Sequence, residues 1–230
     1  MTDRAPEASP AIPAATVVLV RDGAGDRDGR LEVLMLHRVS KVAFGGMWVF
    51  PGGKVDDDDR QPGDDEASAA RRAAAREAME ECGLAVDPDH LVAYSHWVPP
   101  PITPRRFSTH FFLARAGDGE VTVDGGEIHE HEWLAAREVL DRRDRGEVDL
   151  APPTWVTLHE LAEHDTVEEA LRAAAQRDPI PHYETRWVTV DGGAVAMWAG
   201  DGGYDSNDPD QPGARHRLWM LTNGWRLERS

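Results

Sequence analysis

Arg76-Glu77-Ala78-Met79-Glu80-Glu81-Cys82-Gly83-Leu84 decides the reading of this chain, and it closes a helix signal over Glu66–Cys82. That segment is rich in Ala, Glu and Arg and has no interior Gly or Pro, a composition that favours helix. Gly83 follows where a helix end takes a left-handed residue. On such a helix Glu77 meets Glu80 at i+3 and Glu81 at i+4, so three carboxylates crowd one face. Like charges at that spacing oppose helix formation by about a few tenths of a kcal/mol per pair, and a divalent cation would compensate. Hard oxygen ligands suit magnesium or manganese. Arg76 lies four residues before Glu80 and is placed to orient the cluster by pairing. Ala75, Met79 and Cys82 are small or apolar and suit packing on a sheet. Taken alone, such a helix is also what a solvated acidic face looks like, so the flanking sequence has to decide.

Upstream, residues 47–50 read as a short strand that ends in Phe50-Pro51-Gly52-Gly53, where backbone can approach a metal or phosphate closely. A very acidic loop, 54–64, joins it to the helix. This strand–Gly-Gly–loop–helix unit resembles the Nudix box, G-x5-E-x7-R-E-U-x-E-E-x-G-U with U apolar, and residues 76–84 fit its end with Ala78 as the first U. The resemblance implies metal binding by Glu77, Glu80 and Glu81, joined by the Gly53 carbonyl. It also implies hydrolysis of a diphosphate in a small nucleotide-like molecule, with Mg2+ or Mn2+ as cofactor. The box departs from the pattern in two ways. About nine residues are inserted within the acidic loop. Counted back eight from Arg76, the position of the first box Glu is Ser68, with Asp65 or Glu66 nearby as substitutes.

A narrower likeness runs through Val33–Arg38 in VLMLHR, then Phe44-Gly45-Gly46-Met47-Trp48-Val49-Phe50-Pro51-Gly52-Gly53 and Val55-Asp56. It resembles the branch that contains the peroxisomal coenzyme A diphosphatases, whose box also carries an insertion. Thr103-Pro104-Arg105-Arg106-Phe107-Ser108-Thr109-His110-Phe111-Phe112 matches that branch loosely, while Val39 and Val42 stand where its signature has Ser and Arg. Coenzyme A or its derivatives are therefore the substrates that the resemblance implies. Nucleotide sugars, dinucleotides and nucleoside triphosphates stay open.

Working outward, residues 1–13 hold three prolines and no periodic pattern, and read as a flexible tail. Strand patterns follow at 14–21 and 30–39 around a turn cluster, then at 91–98, 106–115 and 127–134, with a helical turn near 137–142. After Leu150 the character changes. Helices are expected at 154–163 and, behind the capping box Thr166-Val167-Glu168-Glu169, to about 177. Strands at 183–190, 194–198, 215–221 and 225–229 follow, the last pair around Asn223-Gly224. The expected fold is α+β: a Nudix-type α/β/α sandwich with a mixed sheet over 14–150, and a C-terminal α+β extension over 151–230 packed on it. That extension is open to two roles, a homodimer interface or a wall of the pocket.

Composition narrows the partners. The 230 residues carry a net charge of −17, which repels nucleic-acid backbones and anionic lipid and makes a phosphate-bearing substrate depend on local cations. The single cysteine excludes an intramolecular disulfide, the N-terminus lacks the apolar core of a signal peptide, and no apolar run is long enough for a bilayer. The expectation is a cytoplasmic protein that binds a small molecule, with neither nucleic acid nor membrane as partner.

Water attack on a diphosphate also needs a base and phosphate contacts. Glu77 is one candidate base and Arg76 its neighbour. Glu127 is another, with Glu130 behind it, in GEIHEHEW, where alternation puts Glu127, His129 and His131 on one strand face. Arg38, Arg105 and Arg106 are candidates for substrate phosphates because a guanidinium contacts phosphate oxygens in pairs. Trp48 and Trp133 read as core, and Trp187, Trp198, Trp219 and Trp225 as a cluster within the extension. Cys82 reads as a packed thiol. A ligand sensor of the same fold would have lost box carboxylates or gained a DNA-binding domain. All three Glu remain here, and no helix-turn-helix stands out.

Overall fold

The β-branched run near the N-terminus forms β1 (Ile12–Asp22), and after a turn β2 (Leu31–Arg38) pairs antiparallel with it, Val20 opposite Val33. The computed structural model describes residues 10–24, 29–38, 46–123 and 125–230, so Val39, Val42, Phe44 and Gly45 of the coenzyme A comparison lie outside the described residues. Contacts divide the chain into two compact units. One comprises Ala14–Ser95 and His110–Pro181; the other gathers His96–Thr109, His182–Ser230 and the described N-terminal residues up to Pro13.

The first unit is built on a sheet. β3 (Trp48–Val49) lies beside β2, β4 (Gly52–Lys54) pairs with β1, and β6 (Phe107–Arg115) and β5 (Val92–Val98) continue the order past β1. β7 (Ile128–Leu134) pairs with the other edge of β2. Helix α1 (Glu66–Cys82) is held at its start by Asp65, whose side chain accepts the Ser68 N–H. It ends at Gly83 in the left-handed region, φ 70°, with the Gly83 N–H donating to Met79 O. Its alanines Ala70, Ala73, Ala74 and Ala78, with Cys82, pack against Leu34, Leu36, Val17 and Leu19. Small side chains let the helix lie close to the sheet, which sets the height of its carboxylates above β4.

Behind β2, α2 (Ala136–Asp144) lies against that strand and α3 (Pro152–Leu161) against α2. The helix opened by Thr166, α4 (Val167–Ala175), has the expected reciprocal cap between Thr166 and Glu169. The α+β class and the mixed sheet are those the sequence predicts.

Strict alternation fails in β7. Leu34 faces Trp133 and Leu36 faces His131, but the register then slips, so that Ile128 faces Arg38 and His129 is the extra residue. Residues directly opposite share a face. Ile128 therefore joins His131 and Trp133 on the α1 side, fully buried beside Leu34 and Leu36. The expectation that Glu127, His129 and His131 share a face is corrected: a bulge re-aims the start of the strand, and no composition signal marks it.

The second unit holds a four-stranded antiparallel sheet. Its strands are β9 (Arg186–Val190), β10 (Gly193–Met197), β11 (His216–Leu221) and β12 (Gly224–Arg229), in the order β12-β11-β10-β9. The short β8 (His182–Glu184) runs parallel to the end of β5. Trp198 is fully buried against Trp97 and Tyr183, so one of the four clustered tryptophans is core. Among the described residues no helix is long and apolar enough to cross a membrane.

Candidate active site

Two glycines let β4 and α1 approach each other. A Cβ on Gly53 would overlap the Glu77 carboxylate, and one on Gly52 would overlap Thr16 on β1. The Gly52 N–H donates to Glu81 Oε2 at 3.0 Å. This is the close backbone approach expected from Phe50-Pro51-Gly52-Gly53.

The three box carboxylates differ in exposure. The Glu81 side chain is 8% exposed, Glu77 14% and Glu80 58%. Burial pushes the Glu81 carboxyl up to about 7, although Arg38 and the Gly52 N–H pull the other way. Burial also raises Glu77, against hydrogen bonding and charge from Arg76. A buried carboxylate with a half-buried one a turn before it is a place where added positive charge is favoured.

Two arginines hold these oxygens. Arg38 bridges Glu81 on α1 and Glu127 at the start of β7, one nitrogen to each. The bulge described above is what brings Glu127 there. Arg76 uses all five of its N–H donors. It bonds Glu77 Oε1 at 2.8 Å, Glu80 Oε2 at 3.0 Å, the Lys54 carbonyl at 2.9 Å, and both oxygens of Asp59 at 3.2 and 3.0 Å. The Asp59 bonds are the main reason its guanidinium is held in the charged form.

Asp59 is the residue at this site that sequence reasoning missed. Counted forward from Gly53, G-x5 arrives at Asp59, so the acidic position of the box is filled and the insertion comes after it. Counting back from Arg76 through the insertion arrived at Ser68, which caps the helix with its N–H and hydroxyl both on Asp65 Oδ1. Asp65 is thus the helix cap and not a partner of Arg76. Glu66 stands 4.0 Å from His110. The forward count was the available signal; in the fold a 3-10 turn over Asp57–Asp59 buries Asp59 to 5% exposure, while Asp57 and Asp58 stay in solvent. Asp59→Asn should lower kcat about ten- to a hundredfold, the scale on which a supporting partner of a ligand acts. Comparing kcat with Asp59→Glu, which should recover part of it, checks this; an unchanged Asp59→Asn enzyme would remove Asp59 from the site.

Arg105 and Arg106 belong to the other unit. The Arg105 guanidinium lies 5.3 Å from the Phe107 ring, and Arg106 Nε donates to the Pro99 carbonyl at 3.1 Å. Cys82 is fully buried, its thiol pushed up to about 11 by burial, as a packed thiol should be.

Among the described residues no three His, Cys, Asp or Glu side chains converge as an ion-holding group. The carboxylate oxygens point instead at Arg38 and Arg76. In kind, the donors fit a hard divalent cation: the carboxylates of Glu77, Glu80 and Glu81 stand on one helix face, with the Gly53 backbone against Glu77.

A family model described as the NUDIX domain matches residues 11–154. No curated protein matches the chain. The chain is similar to the crystal structure of a NUDIX hydrolase from Alicyclobacillus acidocaldarius, at 27% identity and a TM-score of 0.62, over 71% of this chain and 96% of that one. The NUDIX domain of Shewanella oneidensis NrtR, solved in complex with ADP ribose, is 17% identical over 70% of this chain and 92% of its own, with a TM-score of 0.51. A MutT NUDIX hydrolase from Burkholderia pseudomallei is 22% identical over 66% and 98%, with a TM-score of 0.50. These last two show likeness of fold alone. With the domain matched over more than half of the chain, and the box carboxylates gathered on one helix against Gly52-Gly53, the chain belongs to the Nudix hydrolase family.

Proposed function

We propose that this chain cleaves the diphosphate linkage of a nucleoside diphosphate joined to another moiety, with Mg2+ or Mn2+, and that coenzyme A and its derivatives are its substrates. Membership of the family makes it a hydrolase of pyrophosphate bonds. The observation that carries the reading is the α1 face: Glu81 is buried and Glu77 half-buried, both carry raised carboxyls and both stand against glycine backbone.

Glu77, Glu80, Glu81 and the Gly53 carbonyl would hold the cation. When bound it neutralises diphosphate charge and lowers the pKa of a water. The protein's own residues do the rest. Arg76, anchored by Asp59, keeps Glu77 and Glu80 on the side of α1 that faces β4. Arg38, Arg105 and Arg106 are the proposed phosphate contacts. For Arg38 that means exchanging a carboxylate partner for substrate, and the exposed Glu127 is the one it gives up.

The proton of the attacking water goes to Glu77 or to Glu127, and the two assignments separate experimentally. Glu127 is 52% exposed and stands outside α1. If it is the base, Glu127→Gln lowers kcat about 10²- to 10⁴-fold and leaves the metal concentration for half-maximal rate unchanged. If Glu77 is the base, Glu127→Gln changes kcat by less than about tenfold. A pH–rate profile of the variant checks the choice, because loss of the base removes its acidic limb.

Coenzyme A is favoured by the FGGMWVFPGG and TPRRFSTHFF stretches. The likeness to a domain solved with ADP ribose makes that compound the first alternative. The test is a hydrolysis panel with product masses, covering coenzyme A and acyl esters, ADP ribose, NADH, diadenosine polyphosphates and nucleoside triphosphates. Phosphopantetheine and adenosine 3′,5′-bisphosphate as products support the proposal. Cleavage of another member alone discards coenzyme A and keeps the chemistry. No cleavage of any member contradicts the proposed function.

A further inference from the structure

We propose that His96 and His182 form a two-histidine chelate for a divalent transition-metal ion of the zinc type, using none of the active-site carboxylates. The two residues face each other in register across the parallel pair β5–β8. Their Nδ1 atoms lie 3.1 Å apart, with ring centroids at 4.8 Å and planes at 62°. Two metal–nitrogen bonds of about 2.0–2.1 Å span roughly 2.9–3.4 Å between nitrogens, for angles from square to tetrahedral. The observed separation falls inside that range without movement of either strand.

Ser108 supports the same assignment. Its Oγ is 2.7 Å from His96 Nε2. With Nε2–H donating to the hydroxyl, His96 keeps the tautomer whose Nδ1 lone pair is directed at His182. Histidine ligands of metals characteristically donate the other ring N–H to such a partner, which fixes ring and tautomer. In the metal-free pair His182 Nδ1–H donates to that lone pair. On coordination His182 moves its proton to Nε2, so two neutral imidazoles become two ligands with no net proton released.

The strands beneath are held rigidly. Trp97 and Tyr183, the next residues along each strand, point to the opposite face and stack at 3.9 Å, with Trp198 edge-on to both. A chelate needs such fixed supports, and His182 is exposed, which gives an ion access. No third His, Cys, Asp or Glu among the described residues joins the pair as a ligand group, so water completes the coordination. Imidazole donors suit zinc, copper and nickel and discriminate against magnesium, which prefers oxygen.

Calorimetric titration of the full chain with zinc, in excess Mg2+, tests this. The wild type should take up one zinc ion at these residues. His182→Gln and His96→Gln should each weaken that step about tenfold or more, Ser108→Ala should weaken it less, and Glu80→Gln should leave it unchanged. Melting curves without metal establish that each variant is folded, and the exposed His182 is the substitution expected to cost least. The proposal is overturned by equal zinc affinity in wild type and a folded His182→Gln. It is equally overturned by loss of the step in Glu80→Gln, or by no uptake by the wild type up to about millimolar zinc. In each of those cases the pair is only a hydrogen bond between β5 and β8.

Discussion

Glu81→Gln should lower turnover about a hundredfold or more while leaving the fold intact. The substitution keeps the volume of the side chain and one acceptor oxygen, for the Gly52 N–H or for Arg38 but not for both, and removes the charge that a divalent cation would meet. The scale is that of losing one preorganised electrostatic group from a transition state. Little stability should go with it, because burial already holds the Glu81 carboxyl up at about 7 and a neutral amide suits that environment. Steady-state kinetics over a range of Mg2+ concentrations, with a melting curve of the same preparation, is the check. Glu80→Gln should behave alike in turnover, although Glu80 is largely exposed. A fully active Glu81→Gln enzyme would remove Glu81 from the site.

The second large effect lies in the other unit. Arg217 and Asp201 form an ion pair with both side chains essentially out of water, 1% and 0% exposed. Arg217 Nε and Nη2 bond the two carboxylate oxygens at 2.7 and 2.5 Å, and the N–H groups of Gly203 and His216 donate to the same carboxylate at 2.8 Å each. Burial alone would raise the acid, but these four donors hold it down at about 2. Asp201→Asn leaves a buried guanidinium without its charge, a change that costs about 3–5 kcal/mol. The melting temperature should fall by about 6–20 °C, with little change in kcat. Replacing both partners by apolar residues should cost less than Asp201→Asn alone, because no buried charge is then stranded. The sign with pH follows from the depressed acid. The stabilisation is fully present above the ordinary Asp value of 3.8 and is lost as pH falls from there through about 2. A wild-type melting temperature limited by this pair should therefore not change with pH above about 4.

Much of this was legible in the sequence, for physical reasons that differ from place to place. Helix α1 was readable to the residue from its alanine-rich interior and Gly83, while Asp65, read as a stand-in for the box Glu, proves to be its cap. Most strands came through alternation and β-branched runs, with ends displaced by one or two residues, but β4 was read as a strand end and loop, and the expected strand over 183–190 divides into β8 and β9. The pairing of Arg76 with Glu80 followed from i, i+4 spacing alone. Most of what failed needed tertiary contact. Asp59 lies 17 residues before Arg76, so counting back from Arg76 crosses the inserted loop and misses it, whereas counting forward from Gly53 reaches it; that it bonds Arg76 is seen only in the fold. The bulge at His129 depends on its pairing with β2, which strand periodicity cannot show. Arg38 was legible as a cation near the site but not as a bridge between Glu81 and Glu127, because that bridge joins three elements far apart in the chain.

The α1 carboxylate face is expected to cleave a diphosphate only with a divalent cation. That requirement is tested most directly by stripping the protein with chelator and measuring cleavage of its best substrate before and after Mg2+ or Mn2+ is restored. The account predicts no turnover in the stripped enzyme, full recovery with either ion, and no recovery in Glu80→Gln or Glu81→Gln at the same ion concentration. Equal turnover with and without the cation would contradict it.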